Sequence, residues 1–359
     1  MGHHLLHVIG ARPNFMKAAP VIQALEHRGV SQRVVHTGQH YDRALSEVFF
    51  TELGLPEPDA NLGVGSGSHA RQTAALLAGL EDEVTASRPV LVVVYGDVNS
   101  TLAAALVAAK LQIPIAHVEA GLRSFDPTMP EEINRRVTDS LSDLLFVTSP
   151  EGIAHLAREG VDPATVHLVG NPMIDTLLAN LERFDPASIA ARMGLPADYA
   201  VATLHRPANV DDPVAAKAVV SALADVAALV PVVIPLHPRG RASLCRAGLD
   251  DTAGIQVVEP LGYVDFLSMV RGARLVVTDS GGIQEETTML DVPCLTLRPN
   301  TERPITISHG TNRLVGAGEV GAHASAILDG SVQLPTARPP LWDGAAGRRI
   351  ADIVIASVA

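Results

Sequence analysis

Several kinds of residue are scarce in this sequence of 359 residues. Aromatic residues make up 3% of the chain, too few for a platform on which the bases of single-stranded nucleic acid stack. Acidic residues outnumber basic ones, and a formal charge of −12 opposes binding to a polyanion as the main role. The two cysteines, Cys245 and Cys294, lack CxxC spacing, which favours buried small hydrophobic residues over a disulfide or metal pair.

Long apolar runs and several ligand-binding fingerprints are also missing. No run reaches the roughly 18 residues of a membrane span, and the N-terminus lacks the basic and apolar regions of a signal peptide. We therefore expect a cytoplasmic protein. There is no GxGxxG directly after a predicted strand, no GxxxxGK[ST], and no His, Cys or carboxylate cluster with metal-site spacing. These absences exclude a standard dinucleotide fingerprint and a P-loop, and they predict no metal site.

Short runs of Val, Ile and Leu alternate with longer Ala- and Leu-rich stretches, such as 69–87 and 99–111, which we predict to be helices. Near-continuous apolar strands between helices are typical of a parallel sheet covered on both faces. The pattern restarts after about residue 170, which predicts two doubly wound α/β domains. The predicted strands are 5–9, 33–37, 90–95, 115–118 and 144–147, followed by 200–204, 232–236, 255–259, 274–278 and 293–297.

The length suits two domains of about 150 to 200 residues each. We predict an N-terminal domain over residues 1–168 and a C-terminal domain over 169–345. A Pro-rich break at 335–344 precedes a last helix over 346–359, which is a candidate to pack back on the N-terminal domain. Ligands are expected where the carboxyl ends of the strands face a cleft between the domains.

The segment over residues 115–136, IAHVEAGLRSFDPTMPEEINRR, concentrates charge. Ionised acids that lie close together raise one another's pKa unless cations are near. The segment therefore predicts carboxylates that converge on one substrate carbon. Glu131 and Glu132 also fit the positive end of a helix, so we expect one to face the site and the other a structural partner. The charged residues are Glu119, Asp126, Glu131 and Glu132, with Arg123, Arg135 and Arg136.

Two further motifs follow predicted strands of the first half. GARPN places Arg12 at a strand-to-helix turn with Lys17 one turn later. The free backbone N–H groups of such a turn bind anions, although a plain turn with a solvated arginine fits the pattern equally. Asp97 follows the apolar run VLVVVYG, where it either caps the next helix or faces the cleft as a reactive carboxylate.

The second half carries two comparable motifs. His205 and Arg206 follow the strand at 200–204, so His205 is either structural or a phosphate-binding or proton-transfer group. The small residues at 278–282 let a helix start approach a diphosphate closely. Glu286, one turn further, is placed to accept hydrogen bonds from ribose hydroxyls. Two cations follow the next strand, Arg298 and Arg303.

Eight motifs occur in a familiar order over about residues 6–318: GARPNFMKAAP, TGQH, YGDVNSTLAAALVAAK, HVEAGLRSFDPTMPEEINRR, VGNPMID, HRPANVDD, DSGGIQEE and RPNTERP. Together they resemble the non-hydrolysing UDP-N-acetylglucosamine 2-epimerases of bacteria. The resemblance implies two Rossmann-like domains in the glycosyltransferase-B arrangement, a homodimer, and no added metal or nicotinamide cofactor. It implies a UDP-sugar substrate whose C2 is inverted by elimination of UDP to a glycal and re-addition. Nucleic acid and membrane are not expected partners.

The resemblance also assigns roles by motif. Asp97, Glu119 and Glu131 correspond to the catalytic acids, and His205 to the catalytic histidine, with no division between base and acid. Asp42 stands where members with an allosteric UDP-N-acetylglucosamine site have Gln. The positions expected to bind the UDP-sugar are Arg12, Lys17, Arg123, Arg135, Phe266 (at the uracil), Ser280, Gly281, Gly282, Glu286 and Arg303, and those that fit the allosteric site are Gln39, His40 and Arg71.

Alternative functions stay open at this point. Ala11 and Asn14 stand where many members have Thr and Glu, a variation shared with epimerases of 2,3-diacetamido uronic acids. A hydrolysing epimerase or a glycosyltransferase would use the same architecture. Acids on both faces of C2 favour epimerisation over transfer. A catalytically silent nucleotide-sugar sensor would need only the UDP contacts and not the four catalytic positions.

Overall fold

The computed structural model of the protein describes residues 4–38, 52–236, 238–332, 335 and 337–358. The chain divides into two compact units, Met1–Ala179 with Pro340–Ala359, and Asn180–Pro339. Each unit is built on a parallel sheet flanked by helices, so the predicted α/β class with two Rossmann-like sheets is confirmed.

The sheet of the first unit has the strand order β3-β2-β1-β4-β5-β6-β7 within the described residues, and all of its strand pairs are parallel. Its strands are β1 (Leu5–Ile9), β2 (Gln32–His36), β3 (Ala60–Asn61), β4 (Leu91–Tyr95), β5 (Ile115–Ala120), β6 (Leu144–Val147) and β7 (Val166–Leu168). Between the start of the chain and Ala179, its described helices are α1 (Arg12–Glu26), α2 (His69–Ser87), α3 (Asn99–Lys110), α4 (Pro130–Leu141), α5 (Pro150–Arg158) and α6 (Pro172–Ala179).

The sheet of the second unit has the order β10-β9-β8-β11-β12-β13 in the part of the chain that is described, again with parallel pairs. Its strands are β8 (Ala200–Thr203), β9 (Val232–Pro235), β10 (Ile255–Val258), β11 (Leu275–Thr278), β12 (Cys294–Thr296) and β13 (Asn312–Leu314). Its helices are α7 (Pro186–Met193), α8 (Pro207–Val210), α9 (Pro213–Ala227), α10 (Pro238–Arg246), α11 (Tyr263–Arg271), α12 (Gly281–Leu290), α13 (Ile305–Ser308) and α14 (Val320–Leu328).

The last helix, α15 (Ala346–Val358), belongs to the first unit and packs against α1. Gly347 permits this approach, because a Cβ at that position would lie 2.5 Å from the carbonyl oxygen of Pro20. Helix α6 packs on α1 as well. The division after Ala179 therefore lies beyond the predicted boundary between residues 168 and 169, and the first unit resumes at Pro340.

Alternating apolar residues on the strands place the core of the first unit between the sheet and two helices. Val92 and Val94 of β4 pack with Leu76 and Leu80 of α2 and with the alanines of α3. The sequence pattern does not predict β3, β7 or β13. These strands have two or three residues and lie at sheet edges, so they need few ladder hydrogen bonds and no continuous buried run.

The strand order reverses between β1 and β4 in the first unit and between β8 and β11 in the second. Such switch points are where doubly wound sheets bind ligands, at the carboxyl ends of the strands. The segments that follow these strands begin at Gly10, Gly96, Leu204 and Asp279. The sequence motifs therefore lie at the edge where binding is expected. No helix among the described residues is both long and apolar enough to span a membrane.

Candidate active site

The turn after β4 is held by side chains from two other elements. The Asn14 amide in α1 donates to the carbonyl oxygen of Tyr95 at 2.7 Å, and the Asn134 amide in α4 donates to that of Asp97 at 2.8 Å. Gly96 between them has a φ of 63°, a left-handed conformation that favours glycine. The backbone that presents Asp97 is therefore fixed on both sides.

Glu119 is presented by an irregularity in β5. Its φ of 76° is left-handed, and the register against β6 shifts between Val118 and Ala120. A non-glycine residue in this conformation costs about 1–3 kcal/mol, and bulges of this kind redirect a side chain. Glu119 is buried, with 4% of its surface exposed, and its carboxylate forms an ion pair with the Lys17 ammonium of α1. Lys17, predicted to bind the substrate, thus contacts a predicted catalytic acid.

Arg135 of α4 joins two carboxylates. Its buried guanidinium pairs with the carboxylate of Asp97, and its Nη1 lies 2.5 Å from Oε2 of Glu132. Glu132 also accepts hydrogen bonds from the backbone N–H groups of Ser124 at 2.8 Å and Phe125 at 3.2 Å. Burial raises the pKa of Glu132, but the hydrogen bonds from Ser124 and the charge of Arg135 outweigh it and lower that pKa. Glu132 therefore anchors the loop before α4 as an ionised group.

Glu131 differs from its neighbour. It is half-buried in the first turn of α4, where the helix dipole favours an acid. Among the described residues, no group donates a hydrogen bond to its carboxylate, whereas Glu132 is fully engaged. The side chain of Glu131 is therefore available to exchange a proton with a ligand. We call Asp97 and Glu119 with their cations Arg135 and Lys17, together with the predicted catalytic acid Glu131, the acid site of the first unit.

Arg123 is held by protein carboxylates. It is 1% exposed, and its Nη1 lies 2.7 Å from Oδ2 of Asp139. Its Nε and Nη2 donate to the two oxygens of Glu159 at 2.9 and 2.6 Å. This bidentate geometry is typical of a strong arginine–carboxylate pair. The predicted substrate-binding Arg123 is therefore buried and engaged by two protein carboxylates.

In the second unit, Asp279 organises the residues around His205. The buried Asp279 carboxylate accepts hydrogen bonds from the backbone N–H of Arg206 at 2.9 Å and from the Asn209 amide at 3.0 Å. It also lies 3.1 Å from Nδ1 of His205, whose side chain is 53% exposed. Burial raises the pKa of Asp279, but the hydrogen bond and charge of His205 and the bonds from Asn209 and Arg206 lower it overall. The pairing orients His205 with Nε2 directed away from the carboxylate.

The glycine-rich start of α12 lies beside arginine side chains. Its first N–H groups have no helical partner and form the positive end of the helix. A Cβ on Gly281 would lie 2.5 Å from Nη1 of Arg303 and 2.7 Å from Oε1 of Glu302. Glycine is therefore required there for the arginine to approach the helix start. Such a start is suited to a phosphate group.

A buried charge network surrounds this helix start. Its acids are not among the site residues predicted from the sequence. Glu302 pairs with Arg303 and accepts from Nη2 of Arg298 at 2.6 Å. Nε of Arg303 lies 3.0 Å from Oε1 of Glu285, and Nη2 of Arg206 lies 3.9 Å from Oε1 of Glu302. A glutamate between two arginines in RPNTERP is the only sequence signal for it. The network fixes the direction of the cations.

The remaining predicted residues are placed as follows. Arg12 begins α1, Ser280 precedes α12, Gly282 lies in its first turn and Glu286 is buried one turn later. Phe266 is half-buried in α11, and Arg71 is exposed on α2. Gln39 and His40 lie outside the described residues. The structure thus brings together Asp97, Glu119, Arg135 and Lys17 in the first unit, and His205, Asp279 and Arg303 with the start of α12 in the second.

Parallel sheets with predicted ligand-binding residues after the strands at both strand-order reversals define a Rossmann-like α/β enzyme. The sequence profile of the UDP-N-acetylglucosamine 2-epimerase family matches residues 23–355. The chain belongs to this family, and the predicted resemblance is confirmed.

Individual relatives agree with this assignment. The chain is 42% identical over 319 residues to a UDP-N-acetylglucosamine 2-epimerase of Methanocaldococcus jannaschii, covering 86% of this chain and 87% of that protein. It is 45% identical over 318 residues to a UDP-2,3-diacetamido-2,3-dideoxy-D-glucuronate 2-epimerase of Pseudomonas aeruginosa, covering 87% and 88%. A crystal structure of the M. jannaschii enzyme with UDP-GlcNAc and UDP superposes with a TM-score of 0.91 at 39% identity, covering 98% of this chain and 99% of that one.

Proposed function

We propose that the protein is a non-hydrolysing epimerase that inverts C2 of a UDP-2-acetamido sugar, converting UDP-N-acetylglucosamine to UDP-N-acetylmannosamine. The observation that carries the proposal is the acid site, where Asp97, Glu119 and Glu131 each have a different electrostatic environment. A carbon inverted in place needs a proton removed from one face and returned to the other. Carboxylates with separate partners provide more than one such group.

The proposed reaction balances in two steps. In the first, a carboxylate takes the C2 proton, the C–H electrons form the C1–C2 double bond of a glycal, and the C1–O bond breaks as UDP leaves with its electron pair. In the second, a carboxylic acid protonates C2 from the opposite face while an oxygen of UDP adds to C1. The donor and acceptor are drawn from Asp97, Glu119 and Glu131.

The second unit is proposed to hold UDP while it is detached. Ser280, Gly281 and Gly282 offer the N–H groups of a helix start, and Arg303 adds a directed cation. Preorganised donors of this kind stabilise the charge that develops on a leaving diphosphate. His205, oriented by Asp279, is proposed to donate a hydrogen bond to the departing phosphate oxygen.

A second substrate, a UDP-2,3-diacetamido uronic acid, is supported by the Pseudomonas relative, which is as similar to this chain as the N-acetylglucosamine enzymes are. The two substrates differ at C3 and C6, whereas the proposed chemistry takes place at C1 and C2. One experiment tests both. The protein is incubated in deuterated water with each UDP-sugar, and C2 is followed by NMR. Deuterium at C2 with both UDP-linked epimers present supports the proposal, and the faster substrate identifies the specificity.

Three results would contradict it. Release of free N-acetylmannosamine would indicate a hydrolysing enzyme, and no exchange with either sugar would remove the epimerase assignment. Transfer to an acceptor without C2 exchange would indicate a glycosyltransferase.

We also propose a homodimer that uses an apolar groove on the first unit. The groove has a volume of about 380 Å³ and is lined by residues of α2, α3 and α4, among them Leu77 and Ile133. Ile133 is 53% exposed and borders the groove together with Leu77, so the two form a contiguous apolar patch of the kind that marks interfaces. Ile133→Glu is expected to shift the mass measured by light scattering from dimer to monomer. Val214→Glu, on the exposed face of α9, is the control and should leave the mass unchanged. The expected cytoplasmic location stays a prediction.

A further inference from the structure

His117, two residues before Glu119 in β5, is buried between two hydrogen-bond acceptors. Its Nδ1 lies 2.6 Å from Oδ1 of Asp139 in α4, and its Nε2 lies 2.8 Å from the carbonyl oxygen of Gly96. The ring is fully shielded from solvent. A carbonyl oxygen can only accept a hydrogen bond, so Nε2 must carry a hydrogen.

The ionisation state of Asp139 determines whether Nδ1 of His117 also carries a hydrogen. Its second oxygen lies 2.7 Å from Nη1 of Arg123 and accepts from the backbone N–H of Gly121 at 3.1 Å. A guanidinium and a backbone N–H on this oxygen hold the carboxylate in its ionised form independently of the ring. An ionised carboxylate is an acceptor only, so Nδ1 must donate as well. A neutral imidazole has a single N–H and cannot satisfy both contacts.

We propose that His117 is held as a doubly protonated imidazolium and acts as a positioning residue for the acid site. The cation links Asp139 of α4 to the turn that presents Asp97. Its contact with the Gly96 carbonyl adds a third support to the Tyr95–Asp97 turn, beside those from Asn14 and Asn134. The role in catalysis rests on the proposed function, whereas the protonation state does not.

The charges around the ring balance. Asp139 and Glu159 carry the negative charges, and Arg123 between them carries a positive one. A neutral ring would leave either Nδ1 facing a carboxylate oxygen or Nε2 facing a carbonyl oxygen with no hydrogen between them. A buried acceptor without a donor destabilises the fold, and more so when it is charged. The imidazolium removes this cost and holds the Gly96 carbonyl, next to Asp97, by a hydrogen bond.

The test reads the ring directly. The protein, which has 14 histidines, is labelled with ¹⁵N-histidine, and the His117 signals are assigned by their loss in His117→Asn. Two protonated ring nitrogens are expected for His117 in the wild type at neutral pH. In Asp139→Asn the amide can donate to Nδ1, so the ring should keep one N–H only. Glu159→Gln changes a charge on the far side of Arg123 and is expected to leave both ring hydrogens in place.

Kinetics test the positioning role separately. Asp139→Asn keeps the shape of the side chain but leaves the ring neutral, so the hydrogen bond to the Gly96 carbonyl loses its charge assistance and holds the turn less tightly. It is therefore expected to lower kcat for C2 exchange about tenfold. KM and the Kd of UDP should stay unchanged, since no substrate contact is removed. A single ring N–H in the wild type, or wild-type kcat in Asp139→Asn, would overturn the proposal. Ring protonation is measured without substrate, so it remains decisive if the wild type shows no C2 exchange, a result that would remove only the proposed reaction.

Discussion

Replacing Gly96 by alanine would test whether the acid site depends on the space beside its central ion pair. A Cβ on this residue would lie 2.8 Å from Nζ of Lys17 and 3.0 Å from Oε2 of Glu119. The first distance is shorter than any normal contact of a Cβ atom. The Lys17 ammonium and the Glu119 carboxylate would therefore have to move away from the turn. The φ of 63° adds a left-handed penalty of about 1–2 kcal/mol for alanine.

A matched control separates these two effects. Gly29 has a φ of 70° in the same unit, and a Cβ there would meet no atom within 4 Å. Gly29→Ala is therefore expected to lower the free energy of unfolding by about 1–2 kcal/mol without affecting catalysis. Gly96→Ala should show the same strain and, in addition, a fall in C2 exchange of about a hundredfold, because the acids are displaced.

The assays are urea unfolding followed by circular dichroism and deuterium incorporation at C2 of the UDP-sugar. A loss of stability in Gly96→Ala at least as large as in Gly29→Ala, with exchange lost only in Gly96→Ala, would support the assignment of Lys17 and Glu119 to the acid site. Wild-type exchange in Gly96→Ala would refute the reasoning, since it would mean that the position of this ion pair does not matter to the reaction.

Three further predictions follow from individual contacts. Glu131→Gln is expected to abolish most C2 exchange and leave the unfolding midpoint unchanged, because no described group bonds to the Glu131 carboxylate; unchanged exchange would exclude it from the proton-transfer groups. Gly281→Ala should displace Arg303 and so weaken UDP binding, measured by calorimetry, at least tenfold. Gly318 has open space around it, so Gly318→Ala is the control and should bind UDP as the wild type does. Burial raises the pKa of Asp175 from 3.8 to about 6, so its ionisation costs stability as pH rises through about 6. Asp175→Asn should therefore stabilise the protein by roughly 2–3 kcal/mol above pH 6 and lose this advantage below pH 4; an equal difference in urea midpoint at both pH values would contradict the assignment.

The central strands could be predicted because they are continuous apolar runs, which only a sheet covered on both faces buries. The run VLVVVY and the observed β4 (Leu91–Tyr95) differ by a single residue. Edge strands could not be found in this way, since β13 (Asn312–Leu314) pairs through its backbone and carries polar side chains. The acids themselves were predicted by local charge density and family motifs.

The pairing of charges could not be predicted. Lys17 and Glu119 lie 102 residues apart in the chain, and only the order β1-β4-β5 brings α1 beside the bulge in β5. The left-handed backbone of Glu119 has no sequence signal, because non-glycine residues seldom adopt it. Asp139 is a single acid in an ordinary helical segment, so neither its contact with His117 nor that with Arg123 is visible before the fold is known.

The packing of α15 on α1 has a consequence for the order of events on the ribosome. The second unit is a continuous stretch, Asn180–Pro339, whereas the first needs Pro340–Ala359, which are synthesised after the second unit. Until then the face of α1 that meets Gly347, Ile350 and Val354 stays uncovered. The inserted unit can thus finish folding before the first unit is complete, and the acid site matures only after Pro340–Ala359 have been synthesised.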